Sequence, residues 1–263
     1  MTDIVKHIKP LSLLVVLGFS ALFLSNCSDR ENQTKTPCLP TQFPFEEEDG
    51  VIDATYDLRN RLAGVTYTFN DDADFTFTSI RSFNSDNEIV QVNFYVNGSI
   101  AADFIKVTHA KDTIKEEHYR SGSAAENLQS YRYYYLNSSG KVTSFSEREH
   151  SNSFAKGDST VYTYTGNNVT LVRLYNELNE LEESYEITYD NNTNPYNEVN
   201  FSGDEYLFSP LNLSENNPVS IKHVESGDIT TFSYTFAGNG FLLTRKSSAV
   251  AEAGEFKYSC TVE

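Results

Sequence analysis

The amino-acid sequence predicts an all-β protein of consecutive antiparallel hairpins, forming one curved sheet or an open half-barrel, with a two-sheet β-sandwich as the alternative. Three observations predict this fold. The 263-residue chain contains 17 Tyr and 18 Phe but no Trp, and such side chains favour half-buried pleated surfaces. Apolar and polar residues alternate along many short segments, and Asn- and Gly-rich turns separate those segments.

Tyrosine recurs at every second position in several of these segments. Tyr131, Tyr133 and Tyr135 form one such set, and Tyr162 and Tyr164 form another. Because side chains alternate between the two faces of a strand, each set lies on a single side of its strand. We take these five tyrosines as a candidate binding face, since Tyr offers rigid amphipathic contact area. Packing in a core is the alternative role for each ring.

Turn signals follow the alternating segments, as in NSSG at 137–140, GNN at 166–168 and GNG at 238–240. Gly and Asn adopt positive φ at low cost, which tight hairpins require. The turns recur at similar intervals, and this indicates a degenerate internal repeat of strand–turn–strand units.

One segment is compatible with two structures, because four leucines between 171 and 181 have a spacing that also suits a helix. We favour a hairpin with strands over 169–175 and 181–189 and a turn at 176–180. Both flanks of that turn alternate between apolar and polar residues, and the internal repeat predicts a hairpin there.

The N-terminus has the pattern of an export signal. Lys6 and Lys9 precede the apolar run LSLLVVLGFSALFL, which is shorter than the roughly 20 residues that span a bilayer. The residues LSNC that end at Cys27 resemble the bacterial lipobox. The resemblance implies cleavage before Cys27 and lipid attachment to that residue, and therefore a membrane anchor outside the cytoplasm.

The domain organisation follows from this boundary. We assign a signal peptide to 1–26, a polar tether to 27–45 and a single hairpin-repeat domain to 46–263. Ser28 differs from the Asp that favours inner-membrane retention in lipoproteins, so we expect the outer membrane, on its periplasmic face or at the cell surface.

Two cysteines remain if Cys27 carries lipid, namely Cys38 and Cys260. An exported protein meets an oxidising compartment, and this favours a disulfide between them. A bond that closes a loop of over ~200 residues stabilises by about 4–5 kcal/mol in the chain-entropy model. Two unpaired thiols are the alternative.

The hairpin segments also resemble a known class of proteins. YYYLNSSGKVTSF, YTYTGNNVTLV and YTFAGNGFLLT resemble the Tyr-Asp hairpin units of RHS-type proteins. Their combination with a lipobox resembles a class of Bacteroidota lipoproteins of unknown function, which share YDN followed by NP at 189–195 and LS with NNPV at 213–219. The resemblance covers about residues 130–247. It implies a hairpin architecture and no particular activity.

Charge and motifs exclude several functions. The formal net charge of -17 repels phosphate backbones, so we expect no nucleic-acid partner. The histidines lack metal-binding spacing, and we expect no metal and no cofactor. Asp71, Asp72 and Asp74 fit a solvated turn better than a calcium loop. Thr113 and Ser159 follow Asp in short motifs that resemble O-glycan acceptors of exported Bacteroidota proteins.

No catalytic motif is present. We therefore expect a non-catalytic binding or interaction module of the cell envelope, held to the membrane by its lipid, with a glycan or an envelope protein as partner. An enzyme acting on polysaccharide is one alternative, and it predicts a cleft in which a carboxyl lies beside a His or a second carboxyl. A purely structural lipoprotein is the other.

Overall fold

The computed structural model describes residues 38–45, 50–69, 74–150, 153–198, 212–249 and 252–260. Its contacts divide the chain into two units, 1–37 with 260–263 and 38–259, and the fold described below is that of the second unit. The predicted signal peptide, Cys27, Asp71 and Asp72 lie outside the described residues.

Nearly all regular structure in the described residues is β-strand. The strands are β1 (Cys38–Phe45), β2 (Gly50–Tyr56), β3 (Leu62–Phe69), β4 (Thr76–Phe83), β5 (Ile89–Val96), β6 (Ser99–His109), β7 (Thr113–Tyr119), β8 (Leu128–Leu136), β9 (Val142–Glu149), β10 (Ser159–Thr165), β11 (Asn168–Tyr175), β12 (Leu181–Thr193), β13 (Asn216–His223), β14 (Ile229–Phe236), β15 (Leu242–Ser247), β16 (Gly254–Glu255) and β17 (Lys257–Cys260). A 3₁₀ turn (Ala125–Asn127) and one helical turn, α1 (Pro195–Glu198), complete the described elements. No helix in these ranges has the length and apolar character needed to cross a membrane.

The strands form one antiparallel meander. Each strand from β1 to β15 pairs with the strand that follows it, and β1 also pairs with β17. The sheet is nearly closed, with one open seam. The prediction of an all-β protein with a single curved antiparallel sheet is therefore confirmed, and the two-sheet sandwich is not adopted.

Strand β1 extends the folded domain further toward the N-terminus than the sequence indicated. Residues 38–45, assigned above to the tether, pair with β2, and Phe43 is completely buried. Its ring packs edge-on against Phe256, with the ring centroids 6.0 Å apart. An aromatic side chain buried this fully favours an ordered strand over a solvated tether. Cys38 and Cys260 are disulfide-bonded, as predicted.

The ambiguous leucine segment is a hairpin, as predicted. Strands β11 and β12 pair from Leu171↔Glu186 to Tyr175↔Leu181. Hydrogen bonds close the turn between them, from the Asn176 N–H to the Glu180 carbonyl and from the Asn179 N–H to the Asn176 carbonyl. The helical spacing of the leucines is overridden because strand alternation buries Val172 against the core.

Five hairpins in the described ranges share this turn. In each, the first residue donates its N–H to the carbonyl four positions on, and the fourth residue donates to the carbonyl of the first. The fourth residue has positive φ and is Asn or Gly (Asn60, Asn87, Gly140, Asn179 and Gly240). The first residue is Asp57, Asn84, Asn137, Asn176 or Ala237, and in the first four its side-chain oxygen accepts two further backbone hydrogen bonds. Since Asx side chains close such turns locally, the sequences of these four turns specify their hairpins.

The two faces of the sheet differ in burial. We call the side that carries the core the buried face and the opposite side the outer face. Among the described residues the core has three clusters on the buried face, centred on Phe43 and Tyr67, on Tyr134 and Val169, and on Val92 and Ile105.

Candidate binding face

Strand β8 separates its residues cleanly between the two faces. Ser130, Arg132 and Tyr134 are buried, whereas Tyr131 and Tyr133 are half-buried and alternate with them. Tyr135, the third of these alternating rings, is 41% exposed. Period-two alternation thus places three tyrosines on the outer face of one strand.

The outer rings form a continuous row. The ring centroids of Tyr131 and Tyr133 are 6.2 Å apart, and those of Tyr133 and Tyr135 are 6.5 Å apart. Phe154, which follows β9, packs on Tyr131 at 4.9 Å. These separations lie within the range of favourable aromatic contacts.

The neighbouring strands continue this surface with further rings. Phe104 on β6 and Tyr119 on β7 stack at 5.0 Å with an interplanar angle of 6°, and they are cross-strand partners. We call the outer surface of β6–β9 the aromatic face; it comprises Phe104, Lys106, Lys115, Glu117, Tyr119, Tyr131, Tyr133, Tyr135, Arg148 and Phe154.

Three cations lie against these rings. The Nζ atom of Lys115 is 4.1 Å from the ring centroid of Tyr131, and that of Lys106 is 4.8 Å from the centroid of Tyr119. The guanidinium carbon of Arg148 is 5.5 Å from the centroid of Tyr133. Each contact is within cation–π range and covers one side of a ring with positive charge.

Glu117 is the acidic member of the aromatic face. It accepts hydrogen bonds from Lys115 Nζ at 2.7 Å and from the Tyr119 hydroxyl at 3.1 Å. Burial alone would raise the pKa of the Glu117 carboxyl, but the hydrogen bond and charge of Lys115 outweigh it and hold that pKa below its usual value. Burial and the Glu117 charge raise the pKa of Tyr119, so this ring stays neutral.

Phe154 has an unfavourable backbone conformation with positive φ. Its φ is 59°, which costs a bulky side chain on the order of 1–3 kcal/mol. The Phe154 N–H donates to the Glu149 carbonyl at 2.8 Å, and the ring contacts His150 as well as Tyr131. The strained turn therefore adds a ring to the aromatic face.

The five tyrosines predicted as one binding face do not share a face. Tyr162 is 8% exposed and belongs to the core, and Tyr164 packs against the same cluster. The Tyr164 hydroxyl donates to the Val142 carbonyl at 2.8 Å. Burial raises the pKa of Tyr164 to about 12 and that of Tyr162 further still. These two rings have a structural role because alternation in β10 points them to the buried side.

A polar cluster on the buried face was not recognised in the sequence. Glu116 is fully buried, and one carboxylate oxygen accepts from the Tyr134 hydroxyl at 3.1 Å and contacts His118 Nε2 at 3.2 Å. Arg132 lies directly opposite Glu116 across the β7–β8 pair and donates to Glu147 at 3.0 Å. Alternation within β7 places Glu116 and His118 side by side, and strand register adds Tyr134 and Arg132 from β8. The sequence did not show that this face of β7 is the buried one.

A cleft lies at one end of β4–β8, beside this cluster. Its volume is about 350 Å³, and the side chains around it include Phe77, Phe94, Asp103, His118, Arg120 and Ser130. Phe104 and Tyr119 also border it, but register turns their rings to the outer face, opposite Ile105 and His118.

The remaining predicted positions lie at the first residue of a strand or in a turn. Thr113 begins β7 opposite Tyr135, and Ser159 begins β10 opposite Tyr175. Asp74 is exposed in a turn. Within the described ranges, no group of three or more His, Cys, Asp or Glu side chains is placed to hold a metal ion.

No known protein family and no curated protein matches this chain. Among solved structures, a porin-like protein from Bacteroides uniformis is 11% identical over 84% of this chain and 97% of its own, with a TM-score of 0.41. A porin-like protein from Bacteroides vulgatus is 9% identical over 84% of this chain and 99% of its own, with a TM-score of 0.48. The structure of TcdB2-TccC3-TEV is 13% identical over 76% of this chain and 11% of its own, with a TM-score of 0.24. All three TM-scores lie below 0.5.

Proposed function

We propose that this protein is an exported, lipid-anchored lipoprotein of the outer membrane and that its β domain is a non-catalytic binding module. The aromatic face is the observation that carries the proposal. Half-exposed rings in a row, with cations against them, provide rigid contact area that loses little conformational entropy on binding. The partner is a glycan or a protein of the cell envelope.

The anchor in this proposal is Cys27, supported by the lipobox-like residues that end there. Intact mass of the chain purified from a Gram-negative host should show a mature N-terminus at Cys27 with added fatty acids. Cys27→Ser should leave the chain unlipidated and release it from the membrane fraction. A wild-type chain that starts elsewhere or carries no lipid would contradict this part of the proposal.

Binding is tested with the full chain in detergent, screened against a glycan array and against envelope proteins by pull-down. Tyr133→Ala should lower the affinity for the partner found in these screens by at least about tenfold, as the loss of a central aromatic contact does in interfaces. Thr235→Ala changes an exposed residue on the outer face of β14 and serves as the control. Equal affinities of the two variants, or the absence of any partner in both screens, would leave a structural role instead.

A second candidate is an enzyme acting on polysaccharide, and one observation favours it. The cleft contains His118, and the buried Glu116 carboxylate holds the ring of His118, which is the arrangement of an oriented base. Release of reducing ends from envelope polysaccharides by the wild-type chain, lost in His118→Gln with its fold intact, would favour the enzyme. No release from any polysaccharide that the chain binds would dismiss it.

A further inference from the structure

The cleft at one end of β4–β8 belongs to the buried face of the sheet. Phe77 of β4 and Phe94 and Val96 of β5 give it an apolar side, and the ring centroids of the two phenylalanines are 5.2 Å apart. Ile105 of β6 and His118 of β7, which are cross-strand partners, line the cleft next to them. The cleft is therefore a separate site from the aromatic face, whose rings lie on the other side of the sheet.

An irregularity in β6 accompanies the cleft. The pairing of β5 with β6 shifts register there, so that Phe94 of β5 faces three residues of β6, 101–103. Such bulges interrupt the ladder and bend the strand, and they are over-represented beside functional sites. Two of the three residues, Ala101 and Asp103, line the cleft. Its volume of about 350 Å³ is at the small end of ligand sites, which suits one small molecule and excludes a folded partner.

Asp103 and Arg120 bring opposite charges to the exposed part of this cleft. The Nε atom of Arg120 is 3.9 Å from the Oδ2 atom of Asp103, which is an ion pair without a hydrogen bond. Both side chains are largely exposed, and neither has a hydrogen-bond partner among the residues that the structure describes. A charged acceptor and a charged donor are therefore available side by side to a ligand.

The charges that line the cleft are balanced. Among its described lining residues, Asp103 carries the negative charge and Arg120 the positive charge when His118 is neutral. A ligand with a single charge would pair with one of these groups and leave the other without a charged partner. A ligand that carries one charge of each sign pairs with both.

An α-amino acid with an apolar side chain matches this arrangement. Its ammonium donates to a carboxylate and its carboxylate accepts from a guanidinium, and both groups are attached to the same carbon. Its side chain then packs against Phe77 and Phe94. We propose that the cleft binds one free apolar α-amino acid, with its ammonium on Asp103 and its carboxylate on Arg120. This site goes beyond the proposed function of the aromatic face and does not depend on it.

Calorimetric titration of the full chain in detergent tests the ligand. L-Leucine and L-phenylalanine should bind, and glycine should bind about ten- to a hundredfold more weakly because it buries no apolar side chain. N-acetyl-L-leucine lacks the ammonium and L-leucinamide lacks the carboxylate, so each should bind at least about tenfold more weakly than L-leucine. Equal affinities of these three leucine compounds would overturn the inference. Binding of glucose or N-acetylglucosamine in place of the amino acids would overturn it as well.

Two single variants assign the charged groups of the ligand. Asp103→Asn should lower the affinity for L-leucine by about tenfold but should not lower that for isocaproate, which is leucine without its ammonium. Arg120→Gln should lower the affinity for L-leucine by a similar factor but should not lower that for L-leucinamide. Asp86→Asn and Arg59→Gln change the same residue types in exposed turns at the other end of the sheet, so they serve as matched controls. Thermal unfolding of each variant checks the fold.

The outcomes separate this site from the aromatic face. Tyr133→Ala changes the opposite face of the sheet and should leave the affinity for L-leucine unchanged, so a loss in this variant would overturn the placement in the cleft. Unchanged affinity for L-leucine in both cleft variants, or no binding of any amino acid, would overturn the inference while leaving the proposed function intact. Failure to find a partner for the aromatic face would remove the proposed function and leave this site standing.

Discussion

Two outer surfaces of the same sheet are made from the same hairpins but carry different side chains. On β12–β15 the outer positions carry no aromatic ring in the paired segments and are mostly short hydroxyls, together with Glu186, Lys222, Ile229 and Lys246. The hydroxyls belong to Thr188, Ser220, Thr231, Ser233, Thr235 and Thr244. They pair across strands, as in Thr188 with Ser220 at 2.6 Å and Thr235 with Thr244 at 2.7 Å. On β6–β9 the corresponding positions carry the rings and cations of the aromatic face.

This difference shows that the fold does not need aromatic residues on its outer face. Both regions have antiparallel pairing and both contain the shared turn, at 137–141 and at 237–241. The hydroxyl-lined strands are adequately stabilised by cross-strand pairs and by burial of their other face. Rings that the architecture does not demand favour a role in binding.

The largest expected difference in stability is between substitutions on the two faces of β8. Tyr134→Ala removes a ring that is 1% exposed and should cost about 3–5 kcal/mol. Tyr133→Ala removes a half-buried outer ring and should cost only about 1 kcal/mol. Urea unfolding measures both. Equal losses would mean that the outer rings are part of the core, and the argument for a binding face would fail.

Tyr134→Phe distinguishes the ring from its hydroxyl. It keeps the packed ring but removes a donor to the buried Glu116 carboxylate, which should cost about 1–3 kcal/mol. A loss as large as that of the Ala variant would show that the polar cluster, and not the packing of the ring, stabilises this strand.

Substitutions in the shared turn should change stability by smaller amounts and in opposite directions in the two regions. Asn137 accepts from the N–H groups of Ser139 and Lys141, so Asn137→Ala should cost about 1 kcal/mol. Ala237 occupies the same position in the hydroxyl-lined region and lacks these bonds. Ala237→Asn should therefore stabilise by up to about 1 kcal/mol. Thermal unfolding measures both changes, and effects of the same sign would refute the equivalence of the two turns.

The smallest effect is confined to acid pH. In the turn between β2 and β3, the hydrogen bond from Arg61 lowers the pKa of the Asp57 carboxyl from 3.8 to about 2. Because the folded pKa is lower, this contribution is present above about pH 4 and is lost as pH falls toward 2. Asp57→Asn matches the Asn found in three of the other turns. It should reduce the fall in stability between pH 4 and pH 2, measured by urea unfolding, while an unchanged fall would contradict this assignment.

Most of the fold could be predicted from local sequence. The turn residues around Asn137 and Asn176, the alternation of the strands and the pairing of Cys38 with Cys260 were all recognisable. The inclusion of 38–45 in the sheet was not, because the prolines and polar residues of that segment resemble a tether. Its burial depends on Phe43 meeting Phe256, which is distant in sequence.

The candidate site was only partly predictable, and the tyrosines show why. Alternation determined that Tyr131 and Tyr133 share a face, and also that Tyr162 and Tyr164 do. Period-two alternation shows which residues of a strand share a face, but it does not show which of the two faces is buried in the core. The cluster of Glu116, His118 and Tyr134 was missed for a related reason. Alternation pairs Glu116 with His118 on β7, but it does not show that this face is buried or that Tyr134 of β8 joins it.

By itself the sequence determined the strand content, the hairpin order, the turn chemistry and the cysteines available for pairing, because each depends on residues close along the chain or on a simple count. Which ring faces outward, which carboxylate is buried and where a cleft opens are properties of the tertiary structure. Those features depend on register and on closure of the sheet, which bring distant strands together, and no local pattern encodes them.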